Sequence, residues 1–235
     1  YRGAHSLHAR QQVNEKGKRV QEWKTDPAEI TLHFNRSVEL LPAAYRRAAG
    51  FHLGIHAEAP DWRFIDGLKV LGGCLSLETF RPVSQPLPGN CLQKILVAAD
   101  IFSCNLHEGR SLTGLLEPVE IIQHLMENGA RVVTLRLGEH GSIAAEAGSG
   151  TAWHVPAVPV TVVDAVGAGN AYCGGFLAAY QQNFDLATCA ACGAASASLM
   201  IEQWGMPDWR GELLQIAHER AAAVNAKVKA VRLSI

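Results

Sequence analysis

Val163-Asp164-Ala165-Val166-Gly167-Ala168-Gly169-Asn170-Ala171-Tyr172-Cys173-Gly174-Gly175-Phe176 is the stretch whose reading decides the fold. An extended run ends at Asp164, a glycine-rich turn follows, and a helix of small residues starts directly after it. The first backbone N–H groups of a helix have no partner within it, and the helix dipole favours an anion at that end. Gly167 and Gly169 carry no β-carbon, so a phosphate can approach the main chain there. The turn reads as an anion cradle, suited to a phosphate that gains charge during transfer. Two other phosphate loops do not fit. A dinucleotide fingerprint belongs after the first strand, with an acidic residue at a strand end about 20 positions on, whereas here only helices are expected to follow. A Walker loop needs Gly-Lys-Ser/Thr, and no lysine lies between positions 95 and 226. A tight strand–helix turn with close-packed glycines, and no ligand, remains the structural alternative.

Outward from that turn, strand-like and helical segments alternate. Phe51–Ile55 has the period of a half-buried strand, and a strand places His52 and His56, four apart, too far from each other to chelate, so they read as structural or solvent-exposed. Leu68–Leu77 is apolar enough for a buried strand, Pro82–Asn90 is a connector, Cys91–Ala99 looks helical, and Asp100–Cys104 reads as a strand. Pro118–Asn128 is a helix with proline in its first turn and Asn128-Gly129 to stop it. Arg131–Leu137 is a strand, a Gly138–Gly141 turn leads into another through Ile143, and Val158–Val163 is extended. Helices are expected at Ala171–Gln182, Leu186–Trp204 and Arg210–Asn225. The alternation predicts βαβ units with helices on both faces of a mostly parallel sheet, and ligands beyond the carboxyl ends of its strands. Near the start, residues 11–24 read as a hairpin around a polar turn at Asn14–Arg19.

Composition bounds the function. The 235 residues are 48% hydrophobic and 18% charged, enough for a sizeable core and too apolar for a disordered chain. Lys+Arg total 21 against 22 Asp+Glu, which leaves no basic field to recruit nucleic acid. Residues 1–50 hold nine Lys/Arg and five Asp/Glu, a tilt that suggests a different role for this segment. No apolar run approaches the roughly 20 residues of a spanning helix, so no membrane partner is expected. The six cysteines have small or apolar neighbours. Cys189-x-x-Cys192 lacks two further zinc ligands at similar spacing and reads as packed helix, and reduced thiols point to the cytoplasm.

The 163–176 stretch resembles the second signature of the PfkB carbohydrate kinases, the ribokinase-like sugar and nucleoside kinases, which reads Asp-Thr-x-Gly-Ala-Gly-Asp before a small-residue helix. Other marks follow the family order. Asn105-Leu106-His107-Glu108 resembles its Asn-x-x-Glu, Leu137-Gly138-Glu139-His140-Gly141-Ser142 its Leu-Gly-x-x-Gly turn, and the Ala-rich Gly193–Met200 the helix beside the adenine. The resemblance covers about residues 50–225. It implies an α/β fold, a three-layer α/β/α sandwich with a mostly parallel sheet and a small β lid, to which part of residues 1–35 would belong. The chain would be one ribokinase-like domain, 1–235, lacking its opening strands; it starts Tyr1-Arg2-Gly3, without methionine, and the sugar-holding Gly-Gly motif of the family has no match.

The resemblance also implies ATP and Mg²⁺ as cofactors, a sugar or nucleoside hydroxyl as acceptor, and a homodimer through the lid. Gly167, Ala168, Gly169 and Asn170 would be the catalytic segment. Asp164, Asn105, Gly138, Gly141, Ser142 and Ala194 would hold the nucleotide, and Glu108 the metal. A single carboxylate suits magnesium, which keeps most of its waters. From the residues alone, Asn105 and Glu108 could instead form a loop cap with a solvated acid, and Gly138 and Gly141 a hairpin turn. Two departures stand out. Arg136 stands where many members have threonine near the nucleotide. Asn170 stands in place of the aspartate that takes the proton from the attacking hydroxyl, and an amide cannot accept it. Either an active phosphotransferase or a silenced nucleotide- or sugar-binding regulator follows.

Overall fold

The structure, a computed structural model, describes residues 8–13, 19–26, 36–208 and 211–233. The chain divides into two compact units, Tyr1–Arg46 and Arg47–Ile235. In the first, β1 (Ala9–Val13) and β2 (Arg19–Trp23) pair antiparallel, with Val13 opposite Arg19 and Ala9 opposite Trp23. That is the expected hairpin; most of its turn, residues 14–18, lies outside the described residues.

The second unit is built on a seven-stranded sheet in sequence order: β3 (Gly50–Ile55), β4 (Cys74–Thr79), β5 (Ile101–Asn105), β6 (Val132–Arg136), β7 (Ser142–Glu146), β8 (Thr151–Val155) and β9 (Lys229–Arg232). β3 to β6 run parallel, and β7 to β9 continue as an antiparallel meander. The helices are α1 (Trp62–Val70), α2 (Gly89–Ala98), α3 (Leu106–Thr113), α4 (Pro118–Glu127), α5 (Ala168–Tyr180), α6 (Leu186–Ile201) and α7 (Leu213–Asn225).

Side chains alternate across a strand, and that alternation sorts the two layers of helices. On β6, Val132 packs with the α5–α6 core and Thr134 hydrogen-bonds Tyr172 of α5, whereas Leu135 points the other way, to Gly109 of α3. On β5, Ile101 and Ser103 share the α5 face, and Cys104 reaches Gly109 on the opposite face. The α5 side is closed by Phe176, Leu177, Cys189, Ala191 and Val224, all buried. Helices α5 and α6 approach closely because their facing residues are small: a β-carbon at Gly193 would lie 2.9 Å from the Tyr172 ring and one at Gly175 only 2.7 Å from the Cys192 carbonyl. The expected three-layer sandwich is thus observed, as is the packed state of Cys189, which is fully buried. All six cysteines are free.

Three expectations change. Leu68–Leu77 is not one strand: Asp61 caps α1 at the Phe64 N–H, Phe64, Ile65 and Leu68 are buried at helical spacing, and a turn with Gly72 at φ 80° separates α1 from β4. Val158–Val163 joins no sheet; Pro156 and Pro159 lack the N–H a ladder needs, and the strand lies earlier, as β8. Helices are not all that follows residue 170, since β9 returns to the sheet edge beside β8. Among the described residues no helix is long and apolar enough to cross a membrane.

Candidate functional site

The site forms where β4, β5 and β6 end, under the start of α5. Gly167 is the N-cap of α5 in the left-handed region, at φ 88°, and no side chain caps this helix. Asp164 accepts the Val166 N–H at 3.0 Å, which folds the chain toward the turn. The Val163 and Asp164 N–H groups both donate to the Ile201 carbonyl, at 2.8 and 3.1 Å, and so tie the turn to the end of α6. The first i→i−4 bond of the helix runs from the Ala171 N–H to the Gly167 carbonyl. The N–H groups of Gly169 and Asn170 precede it, at the end where the dipole is positive. The Asn170 side chain is exposed.

The cap expected in the alternative reading of Asn105 and Glu108 is present. Asn105 Oδ1 accepts the Glu108 N–H at 2.9 Å, and Glu108 Oε2 accepts the Asn105 N–H at 2.8 Å, a reciprocal capping box on α3. The acid is not solvated, however: Glu108 is 5% exposed, and its Oε2 lies 3.6 Å from Arg136 Nη2. Burial pushes its carboxyl above the usual range, against the Asn105 N–H and Arg136, which lower it.

Arg136 joins these groups. Its Nη1 donates to Glu78 Oε2 at 2.7 Å and to Cys173 Sγ at 3.2 Å, and lies 2.8 Å from where a β-carbon on Gly169 would stand. Sequence reasoning missed Glu78, Cys173 and His52. His52 Nε2 lies 3.2 Å from Glu78 Oε1, and its Nδ1 3.1 Å from Ser76 Oγ. Glu78 is the one acidic residue within the apolar β4, next to the end of the run misread as a strand, which was the available signal. Burial would raise the Glu78 carboxyl, yet His52 and Arg136 hold it down at about 2. Burial would lower the His52 imidazole, yet hydrogen bonds with Cys173 and Glu78 raise it to about 9.

The raised His52 value has a measurable consequence. The protonated ring stabilises the fold fully below about pH 6.5, the ordinary value, and that contribution is lost as the pH rises through about 9. The unfolding temperature is expected to fall between pH 6.5 and 9, and His52→Gln should flatten the slope. Parallel curves for the two proteins would refute the assignment.

The turn after β6 lies beside this cluster in sequence. Gly138 and Gly141 have φ 63° and 88°, and the Leu137 N–H donates to the Gly141 carbonyl at 2.7 Å. The Ser142 hydroxyl is buried and accepts from the Tyr172 hydroxyl at 2.9 Å. Ala194 is buried in the α5–α6 core. Arg136 therefore brings Glu108 and Gly169 together, while the side chains of Ser142 and Ala194 belong to the packing around them.

The model of the pfkB family carbohydrate kinases matches residues 76–207, more than half of the chain, and the protein belongs to that family. It is 31% identical over 121 residues to a cytidine kinase of Thermococcus kodakarensis, covering 50% of this chain and 42% of that one. To a nucleoside kinase of Methanocaldococcus jannaschii it is 32% identical over 158 residues, covering 64% and 50%. The chain thus spans half or less of these curated relatives. Among solved structures, Arabidopsis thaliana ribokinase complexed with ribose and ATP superposes with a TM-score of 0.65 at 23% identity, over 90% of this chain and 69% of that one. The M. jannaschii nucleoside kinase gives 0.64 at 19%, over 91% and 68%. At these identities the superpositions establish the ribokinase-like fold.

Proposed function

We propose that this protein is an ATP-dependent phosphotransferase acting on a hydroxyl of a sugar or nucleoside-like small molecule. The observation that carries the reading is the start of α5, a helix N-terminus with no side-chain cap, with Gly167 in the left-handed region and Gly169 directly after it. The donor's terminal phosphate would lie over Gly167–Asn170, and Asp164 would shape the turn. These residues fit a polyphosphate, since the turn presents main-chain donors with no side-chain cap in their way. Magnesium would neutralise phosphate charge. Glu108 would hold it through water, with Asn105 fixing the carboxylate from the capping box. Gly138, Gly141, the Ser142 backbone and the Ala194 face of α6 would take the nucleoside. Free thiols fit a reducing compartment, and a homodimer joined through the β1–β2 hairpin belongs to the same reading.

A second reading, a silenced nucleotide- or sugar-binding regulator, is favoured by one residue: Asn170, an exposed amide where the family has its base. Calorimetry with ATP and Mg²⁺, followed by ATP consumption over a panel of nucleosides and sugars, tests both. The two relatives above place nucleosides first in the panel. Nucleotide binding with turnover of one acceptor is the expected result. Binding without turnover supports the regulator; no nucleotide binding overturns the phosphotransferase reading, and no binding of nucleotide, nucleoside or sugar in the same calorimeter overturns both.

A further inference from the structure

Five elements bring polar and charged groups to one place. The side chains of His52 on β3, Glu78 on β4, Arg136 on β6 and Cys173 on α5 meet between the sheet and the start of α5, and Glu108 closes the group from α3. His52, Glu78 and Cys173 offer nitrogen, oxygen and sulfur atoms within 4.8 Å of one another, a set that a borderline metal ion could use. A guanidinium is already there, 2.7 Å from Glu78 and 3.2 Å from Cys173. The cation of this cluster is the protein's own.

That cation is placed with respect to the cradle. Arg136 Nη1 is 2.8 Å, and its Cζ 3.4 Å, from the position of a β-carbon on Gly169. Only a glycine at that point lets the guanidinium lie directly beneath the first turn of α5. The side chain is 11% exposed, so its field is little screened by water. Burial alone would lower its proton affinity, but Cys173, Glu78 and Glu108 keep it protonated throughout. Its Nε finds no hydrogen-bond partner, which leaves one donor of the fork uncommitted.

We propose that Arg136 is a resident counter-cation of the phosphate cradle, a positioning residue that supplies fixed positive charge beneath a bound polyphosphate and holds Glu108 at the edge of the same site. This rests on the phosphotransferase reading and extends it. A mobile metal ion would then neutralise the phosphates from outside, and Arg136 from below. The ligand chemistry selected is a chain of phosphates, as distinct from the nucleoside.

The ratio of ATP to AMP affinity isolates that role, because a general loosening of the fold weakens both ligands alike. Calorimetry in EDTA and in Mg²⁺ should show the ratio falling about ten-fold or more in Arg136→Gln, the scale of a lost charge-assisted interaction. Arg136→Lys, which keeps the charge, should restore most of it. A folded Arg136→Gln protein with the native ratio overturns the proposal and leaves the phosphotransferase reading standing. Native protein that binds neither nucleotide overturns both. Should Arg136→Gln fail to fold, the Glu78→Gln/Arg136→Met pair removes one charge of each sign and takes the same measurement. The native protein gives an independent reading: the Arg136 Nε–H resonance should move on adding ATP and stay on adding AMP. A resonance unmoved by saturating ATP overturns the proposal.

Discussion

Replacing Gly141 with alanine is expected to remove a large share of the protein's stability, about 4 kcal/mol or more of the 5–15 kcal/mol typical of a folded domain. Two independent causes act at this residue. Its backbone stands at φ 88°, ψ −133°, a conformation essentially restricted to glycine. In addition, a β-carbon would lie 2.0 Å from the Val155 carbonyl oxygen and 2.8 Å from the Ala157 nitrogen. Both are main-chain atoms, so neither can swing aside as a side chain could, and relief requires β7 and the end of β8 to part. Gly138, three residues earlier, is the control. It has φ 63° and nothing within 4 Å of its β-carbon position, so Gly138→Ala should cost only about 1 kcal/mol. Urea unfolding of both variants checks the contrast, and losses of equal size would mean that close approach of the chain is not what fixes Gly141. The glycine therefore serves the fold whatever ligand the turn meets, and its presence in the motif is not by itself evidence of nucleotide binding.

The parts of the site readable in the sequence are those written in short stretches. Asp164, Gly167 and Gly169 lie within six residues, and the turn they encode appears where expected, since left-handed backbone and an uncapped helix start depend on local chemistry. Asn105 and Glu108, three apart, form their capping box for the same reason. The cluster beneath the cradle could not be read in that way. His52, Glu78, Arg136 and Cys173 span 122 positions and meet only through the pairing of β3 to β6, in which Gly54 stands opposite Glu78, Glu78 opposite Ser103 and Asn105 opposite Arg136. A half-buried strand pattern at Phe51–Ile55 predicted one buried face and gave no sign that His52 would find a carboxylate there. The misreading of Leu68–Leu77 has a related cause: an apolar run does not reveal its own period when a helix and a strand adjoin across a two-glycine turn. β9, short and edge-lying, carries Lys229 and Arg232 and no apolar run to mark it.

Asn170→Asp is expected to raise phosphotransfer by about 10²–10⁴-fold, the usual contribution of a positioned general base. The exposed amide occupies the first turn of α5, close to the main-chain donors and to Gly169, under which Arg136 lies. Its oxygen can accept a hydrogen bond from an acceptor hydroxyl and orient it, but cannot take up the proton that must leave as the oxygen–phosphorus bond forms. In the proposed reaction that proton would pass, with Asn170, to water or to the phosphate itself, and phosphoryl transfer would retain the contributions of positioning and charge stabilisation. The aspartate brings a second, opposing effect. A carboxylate beside a helix N-terminus is favourable by about 0.3–1 kcal/mol, so the variant should fold at least as stably as the native chain, and any change in rate is separable from a change in stability. The same negative charge repels the donor's phosphates, which should weaken ATP binding while turnover at saturation rises. Measuring kcat and KM for ATP on both forms, with the acceptor that the panel identifies, tests both halves of this expectation. Native turnover equal to that of Asn170→Asp would mean that proton removal does not govern the rate. A gain confined to the aspartate form would make the native protein a binder whose chemistry one atom withholds.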